Sequence, residues 1–264
     1  MPFIEANGAN LYYESHGDGP AVVFAHGAGG NHLSWWQQVP YFRQRYRCIT
    51  FDHRGFGRSV DPRSMPAQQA FPEDLRALLD GLGIDRAFLV AQSMGGSTCL
   101  GFTTAYPERV LGLVMADTTG TIDDDGLREQ VRAFRDSQPA PFTLQGRAYN
   151  PALGTSRPDL AFLYDSIMAL NPPREQPGTP PERDTRHAAT AARRAALAVR
   201  ILFICGAEDA IVPPSVIKYA STLFPGAGYF EAPGCGHSVY FEDAPTFNRT
   251  VADFFEAVAK AASA

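Results

Sequence analysis

The sequence predicts an α/β fold: a mostly parallel eight-stranded sheet with helices on both faces and a helical segment inserted after the sixth strand. Three observations carry this. Short, nearly unbroken apolar runs alternate with stretches of helical periodicity. The alternation lapses over 118–199, about 80 residues and too many for a structureless loop, and then resumes. One apolar run stops at Ser93 and passes directly into Gly95, Gly96 and Ser97, the pattern of a strand turning sharply into a helix.

Taken in order, 3–6 and 11–15 are short runs of β-formers separated by Asn7-Gly8, a hairpin signal, so they form an antiparallel pair. Residues 21–25 are fully apolar and end at His26-Gly27-Ala28-Gly29-Gly30. An amphipathic stretch over 33–42, with Trp35 and Trp36, leads to a strand at 48–51 and the glycine-broken loop Asp52-His-Arg-Gly-Phe-Gly-Arg-Ser59. Leu75, Leu78, Leu79 and Leu82 recur at helical spacing and mark one buried stripe. Strands follow at 86–91 and 110–116, with a helix of small residues between them reaching Tyr106. The alternation returns with a strand at 200–205, a helix at 213–224 and a last strand at 228–232. Phe247, Val251, Phe254, Phe255 and Val258 then give the final helix a core-facing stripe. Right-handed crossovers between such strands produce a parallel sheet covered on both sides. The expected division is a core of 1–117 and 200–264 and a helical cap of 118–199, with helical patches at 127–134 and 160–170 and Pro-rich connectors at Asn171-Pro-Pro and Gly178-Thr-Pro-Pro181.

An apolar content of 45% over 264 residues suffices for a large core without metal or disulfide staples. The net charge of −5 lacks the concentrated positive field that nucleic acid or an anionic membrane requires. Cys48, Cys99, Cys205 and Cys235 are widely spaced in or beside apolar segments, as expected of reduced thiols in a cytosolic protein. The opening Met1-Pro-Phe-Ile-Glu-Ala-Asn-Gly has neither a basic nor an apolar leader region, and no apolar run is long enough to span a bilayer. The expected setting is cytoplasmic, and the expected partner is a small-molecule substrate rather than nucleic acid or membrane. The residues specify no oligomeric state.

Chemistry gathers at strand ends. Ser93 on its turn reads either as a helix cap or as a nucleophile in strained backbone, with Ala91 and Gly95 supplying the small neighbours a nucleophile needs. A serine hydroxyl requires a base, and His237, in the glycine-rich loop after the last strand, lies on the same sheet edge. That base requires an acceptor. Asp209, after the strand at 200–205, ranks ahead of its neighbour Glu208 and of Asp117, after the strand at 110–116. His26 reads as a residue that shapes its loop. His16, His32, His53 and His187 show no metal spacing and read as solvated or locally hydrogen-bonded, and no metal site is indicated. Trp35 and Trp36 follow the glycine loop and either line a substrate cleft or pack in the core; Gln92, beside the serine, is a second substrate-binding candidate. Asp52-His53-Arg54-Gly55 reads as a buttress of the loop region, acting through charge and hydrogen bonds rather than by touching substrate. Arginines 183, 186, 193, 194 and 200 are interleaved with acidic residues 175, 182 and 184 and read as a solvated face. Neither glycine-rich stretch fits a nucleotide-binding loop.

The order Ser93, Asp209, His237 is one of the few orders known for a serine triad. With His26-Gly27, Asp52-x-Arg54-Gly55-x-Gly57-x-Ser59, Ala91-x-Ser93-x-Gly95, Gly206-x-x-Asp209-x-x-x-Pro213 and Gly236-His237 in the same chain order, the sequence resembles the α/β-hydrolase fold superfamily over almost its whole length, in its serine-nucleophile esterase, lactonase or C–C hydrolase branch. Ala91 stands where that family most often has glycine. The resemblance implies a cofactor-independent hydrolase of small or medium apolar carboxylic esters or lactones, with an oxyanion hole formed by the backbone amides of Ala28 and Met94. It also admits a C–C hydrolase of vinylogous diketones, although those relatives usually carry an aromatic residue where this chain has Ser238, and a non-hydrolytic or binding member of the fold.

Overall fold

The computed structural model describes residues 2–60, 68–139, 146–173 and 186–262. Strands β1 (Phe3–Ala6) and β2 (Ala9–His16) form the expected hairpin, closed by Asn7 and Gly8, both at positive φ (50° and 74°), as a tight turn of this hand requires. The remaining strands are β3 (Ala21–Ala25), β4 (Arg47–Phe51), β5 (Ala87–Gln92), β6 (Val110–Ala116), β7 (Ile201–Gly206) and β8 (Gly228–Ala232). They make one eight-stranded sheet in the order β1-β2-β4-β3-β5-β6-β7-β8, antiparallel at β1/β2 and β2/β4 and parallel throughout the rest. All strands from β3 to β8 therefore deliver their carboxyl ends, and the loops that follow them, to one edge.

Period-two alternation sorts each buried strand between two apolar layers. Val23, Ile49, Leu89, Leu113 and Phe203 face α2 (Phe71–Gly81), α3 (Gly95–Ala105) and α8 (Pro214–Thr222). Val22, Phe24, Val90, Val114 and Ile204 face α1 (Gln38–Phe42) and α10 (Ala244–Ala262). Leu75, Leu78 and Leu79 are fully buried; Leu82, the fourth residue of the predicted stripe, lies just past the end of α2 and is only partly covered. On α10, Phe247, Val251, Phe255 and Val258 are buried, whereas Phe254 is half-buried against Gly112. Each fully buried Leu or Phe contributes roughly 1.5–3 kcal/mol. All four cysteines are buried, and none forms a disulfide.

Between β6 and β7 the described residues carry α4 (Asp125–Asp136), α5 (Leu153–Ser156), α6 (Pro158–Ala169) and α7 (Ala191–Ala196). The connector at 178–181, Arg183 and the acidic residues 175, 182 and 184 lie outside the described residues. Arg194 departs from the expected solvated face: it is buried because α7 packs at the start of α4, where its guanidinium donates to the carbonyls of Asp123 and Ala189 and pairs with Asp124. Arg193 likewise donates to the carbonyls of Arg186 and Ala188. Among the described residues no helix is long and apolar enough to cross a membrane.

The buttress expected after β4 is a buried ion pair. Arg54 Nε donates to Asp74 Oδ2 at 2.6 Å, its Nη2 meets Asp74 Oδ1 and also donates to the Asn7 carbonyl, and Asn7 Nδ2 reaches the same carboxylate. Hairpin turn, loop and α2 are thus pinned at one point. Breaking a buried pair from one side costs far more than the pair contributes, because the partner stays charged. Asp74→Ala should therefore lose about 3–5 kcal/mol of unfolding free energy in urea titration; a loss within experimental error would show that the pair does not pin these elements.

Candidate active site

Ser93 follows directly on β5 and adopts φ +49°, a left-handed conformation that a side chain enters only when its surroundings enforce it. The enforcing contacts are close packings of backbone. The Ser93 amide donates to the Ala116 carbonyl, and Gly96 N donates to the Ser93 carbonyl, both within 3.0 Å. A Cβ on Gly95 would stand closer than 3.0 Å to the Ala25 carbonyl, and one on Gly96 equally close to Thr118. Only glycine lets α3 start here, and the turn before it lifts the Ser93 hydroxyl out of the sheet edge.

His237 approaches from the loop after β8. Its Nε2 lies 2.9 Å from Ser93 Oγ, and its Nδ1 lies 2.8 Å from Asp209 Oδ2. With Asp209 as acceptor the ring proton sits on Nδ1, leaving Nε2 to accept the serine hydroxyl. The other carboxylate oxygen, Oδ1, accepts the amides of Ile211 (2.7 Å) and Val212 (3.0 Å), so the acid is fixed by its own turn. Both His237 and Asp209 are buried. Burial alone would lower the imidazole pKa, but the Asp209 charge and hydrogen bond, with the charges of Asp117 and Glu242, outweigh it and raise the value above the usual one.

The two competing acids stand elsewhere. Glu208 Oε2 accepts from Asn150 Nδ2 at 2.9 Å. Asp117, fully buried at φ +52°, accepts the amides of Gly206 (3.1 Å) and Val239 (3.4 Å), and burial, followed by the Asp209 charge, drives its pKa well above the carboxylate range. Neither meets His237 Nδ1.

The loop after β3 closes the other side. Gly30 N donates to the Gly27 carbonyl at 3.0 Å, and His26 Nε2 accepts the His53 amide at 3.0 Å. The His26 proton is thereby placed on Nδ1, which donates to the Gly27 carbonyl at 2.8 Å. His26 is thus a clamp on its own loop, as the sequence reading held. At Gly27 a Cβ would lie 3.1 Å from Ser93 Cβ, and Ala28 packs with Met94, Phe56 and Phe71. The two amides expected to stabilise an oxyanion therefore belong to neighbouring residues beside Ser93. Asp52 holds the following turn. Its Oδ1 accepts His32 N (2.6 Å) and His32 Nδ1 (2.8 Å), and its Oδ2 accepts Arg58 N (2.8 Å). Burial raises its pKa, but these bonds outweigh burial and hold it below the usual value. His53, expected to be solvated or locally bonded, is buried, with Nε2 on Thr98 Oγ1 at 2.8 Å.

Both substrate-binding candidates lie in the interior. Gln92 is buried behind the serine, where its Nε2 donates to the His237 carbonyl at 2.7 Å and its Oε1 abuts Gly27. Trp35 is fully buried, its ring 5.1 Å from Phe24 and 4.7 Å from Tyr240, while Trp36 is 41% exposed beside Phe241. Sequence reasoning missed Glu242, whose carboxylate accepts amides on both sides of His237, and Tyr164, which α6 lays against Gly29 with Met168. The available signal for Glu242 was an acid in an otherwise apolar Val239-Tyr-Phe-Glu242 segment following a glycine-rich loop. Among the described residues no group of three His, Cys, Asp or Glu side chains is disposed to hold a metal ion.

The solved structure described as "Est816 as an N-Acyl homoserine lactone degrading enzyme" superposes with a TM-score of 0.78 at 26% identity, covering 96% of this chain and 100% of that one. The 2-hydroxy-6-oxo-6-phenylhexa-2,4-dienoate hydrolase of Comamonas testosteroni is 28% identical over 275 residues, 92% of this chain and 90% of its own. BpoC of Mycobacterium tuberculosis, which bears the name of a non-heme bromoperoxidase, is 30% identical over 261 residues, 94% of this chain and 98% of its own. Residues 20–244 match the family model described as alpha/beta hydrolase fold. The chain belongs to the alpha/beta hydrolase fold family.

Proposed function

We propose that the protein is a serine hydrolase that cleaves a small or medium apolar carboxylic ester or lactone through an acyl-enzyme. The observation that carries this reading is the line from Ser93 Oγ through the His237 ring to Asp209, 2.9 and 2.8 Å long, with the serine on a left-handed turn. His237 Nε2 takes the hydroxyl proton as Ser93 Oγ bonds to the carbonyl carbon, and the carbonyl oxygen becomes an oxyanion held by the amides of Ala28 and Met94. Such donors contribute roughly 3–4 kcal/mol each to acyl transfer. The imidazolium then protonates the leaving alkoxide as the C–O bond breaks. Water, deprotonated by the same nitrogen, attacks the acyl carbon; the acid product leaves, and the proton returns to Ser93. Asp209 orients the ring and stabilises its charged form throughout.

The segment 118–199 serves as a cap that closes over the site and selects the substrate, with Tyr164 and Met168 its side chains against the oxyanion loop. A C–C hydrolase reading is supported by the Comamonas relative. Ser238 speaks against it, its hydroxyl being spent on the Ala148 carbonyl at 2.6 Å. Assay of a vinylogous diketone beside simple esters separates the two.

Ser93→Ala should remove labelling by a fluorophosphonate probe and lower p-nitrophenyl ester turnover by at least about 10⁴-fold; turnover at the wild-type rate would end the proposal. An intact fold that the probe does not label would instead favour a non-hydrolytic or binding role.

The base works only when neutral, so kcat/KM should rise with pH through a limb lying above the ordinary imidazole value of 6.5. In Asp209→Asn the lost negative charge no longer favours the imidazolium. The limb should move to lower pH while kcat falls by about 10³–10⁴-fold; an unmoved limb would mean that His237 is not the group titrating.

A further inference from the structure

We propose that Glu242 is a positioning residue for His237, holding the loop on both sides of the imidazole while tying it to the cap segment at 148–150. The proposal rests on the reading of His237 as the working base. Glu242 ends α9 (Val239–Glu242), the short helix that follows His237. Its Oε1 accepts Gly236 N and Ser238 N, and its Oε2 accepts Gly236 N, all at 3.0 Å; Oε2 also accepts Asn150 N at 2.8 Å. The residues before and after His237 are thus gathered on one carboxylate, and the third donor comes from the opposite side, from the segment between β6 and β7. That junction is crowded and doubly fastened. A Cβ on Gly236 would collide with the Asn150 backbone, Ser238 Oγ donates to the Ala148 carbonyl, and Asn150 Nδ2 donates to Glu208 and to the Gly234 carbonyl.

A carboxylate is suited to this place because it alone among side chains offers two oxygens with about four lone pairs and no donor. A backbone amide on each side of His237 cannot be replaced by side-chain choice, so the orientation of the loop depends on what receives those protons. Glutamine in its place offers one acceptor oxygen and turns an NH₂ towards an amide N–H.

Charge gives the role a signature. Glu242 lies close enough to raise the His237 pKa, together with Asp209 from the loop after β7 and Asp117 from the end of β6. Among the described residues Glu242 also acts on Asp117, Tyr149, Tyr164, Tyr240 and the Cys235 thiol. No cation is among them, so neutralising Glu242 lowers the His237 pKa rather than exposing it to an unpaired positive charge.

The test compares wild type, Glu242→Gln and Glu242→Asp by circular dichroism, fluorophosphonate labelling rate, NMR titration of the His237 ring and hydrogen exchange at residues 150, 236 and 238. Folded Glu242→Gln should label about 10- to 100-fold more slowly, the loss that a misplaced base produces. Its His237 should titrate at lower pH and the three amides should exchange faster. Glu242→Asp, which keeps the charge but retracts it, should lose labelling rate with a smaller change in titration; it also serves where the glutamine variant does not fold. Labelling at the wild-type rate in a folded variant overturns the proposal. So does slower labelling with an unmoved His237 titration and unmoved exchange in Glu242→Gln, which would mark a general structural role. If wild type itself is not labelled, the hydrolase reading fails, and the titration and exchange decide alone: a lowered pKa with faster exchange supports the positioning role, and an unchanged titration overturns it.

Discussion

The candidate site depends on how closely the start of α3 approaches the end of β3. Gly95 leaves no room for a side chain against the Ala25 carbonyl, and Gly96 none against Thr118. With the helix seated that deeply, the chain leaving β5 has to climb and reverse within one residue, and Ser93 takes the left-handed conformation as a result. Such backbone costs on the order of 1–3 kcal/mol and persists only where packing overdetermines it. Here the packing is the middle of the parallel sheet, where β5 lies between β3 and β6 and is buried along its whole length. Strain at the serine is thereby offset by a strand buried at every residue, and the loops from β3, β7 and β8 arrive at the same edge because every one of those strands runs parallel to β5.

Around the imidazole the fold concentrates negative charge and meets it with backbone amides. Asp209, Asp117 and Glu242 all act on His237, and each carboxylate receives two or more main-chain N–H groups. Hydrogen bonds to charged groups contribute about 1.5–3 kcal/mol each, enough to hold a buried acid without a cation. The three differ in how far that goes. Asp209 faces the ring itself. Glu242 gathers three donors, yet burial still raises its pKa. Asp117 receives only two amides, and burial, followed by the Asp209 charge, raises its pKa well above the usual carboxylate value.

How much of this was legible follows from the range of the interactions. Ser93, Asp209 and His237 each stand just after an apolar run, and a run buried on both faces announces its strand without help from the rest of the chain. Once the strands alternate with helices, their common edge follows from topology. The place of Gln92 was not legible because it rests on a bond to a carbonyl 145 residues away, and no local pattern distinguishes an amide facing substrate from one facing the back of the site. Trp35 was left open between cleft and core for the same reason: the ring that covers it beside Phe24 of the preceding strand is Tyr240, from the far end of the chain. Arg194 reads as a surface charge in any window of sequence and is buried only because α7 meets the start of α4.

The cap segment is the least regular part of the sequence, yet its fastenings to the core are specific and lie at the two loops that bear chemistry. On one side Asn31 Nδ2 donates to the Ile167 carbonyl, and Asn171 bridges Gly29 and Gly57, so the end of α6 is bound to the oxyanion loop. On the other, residues 148–150 are bound to the His237 loop through Ser238 and Glu242. These bonds are few, and each has a backbone group as donor or acceptor, so they do not depend on the other side chains of the segment. Tyr164 and Met168 of α6 lie against Gly29, while the asparagines, Ser238 and Glu242 supply the hydrogen bonds that hold this segment to the two loops.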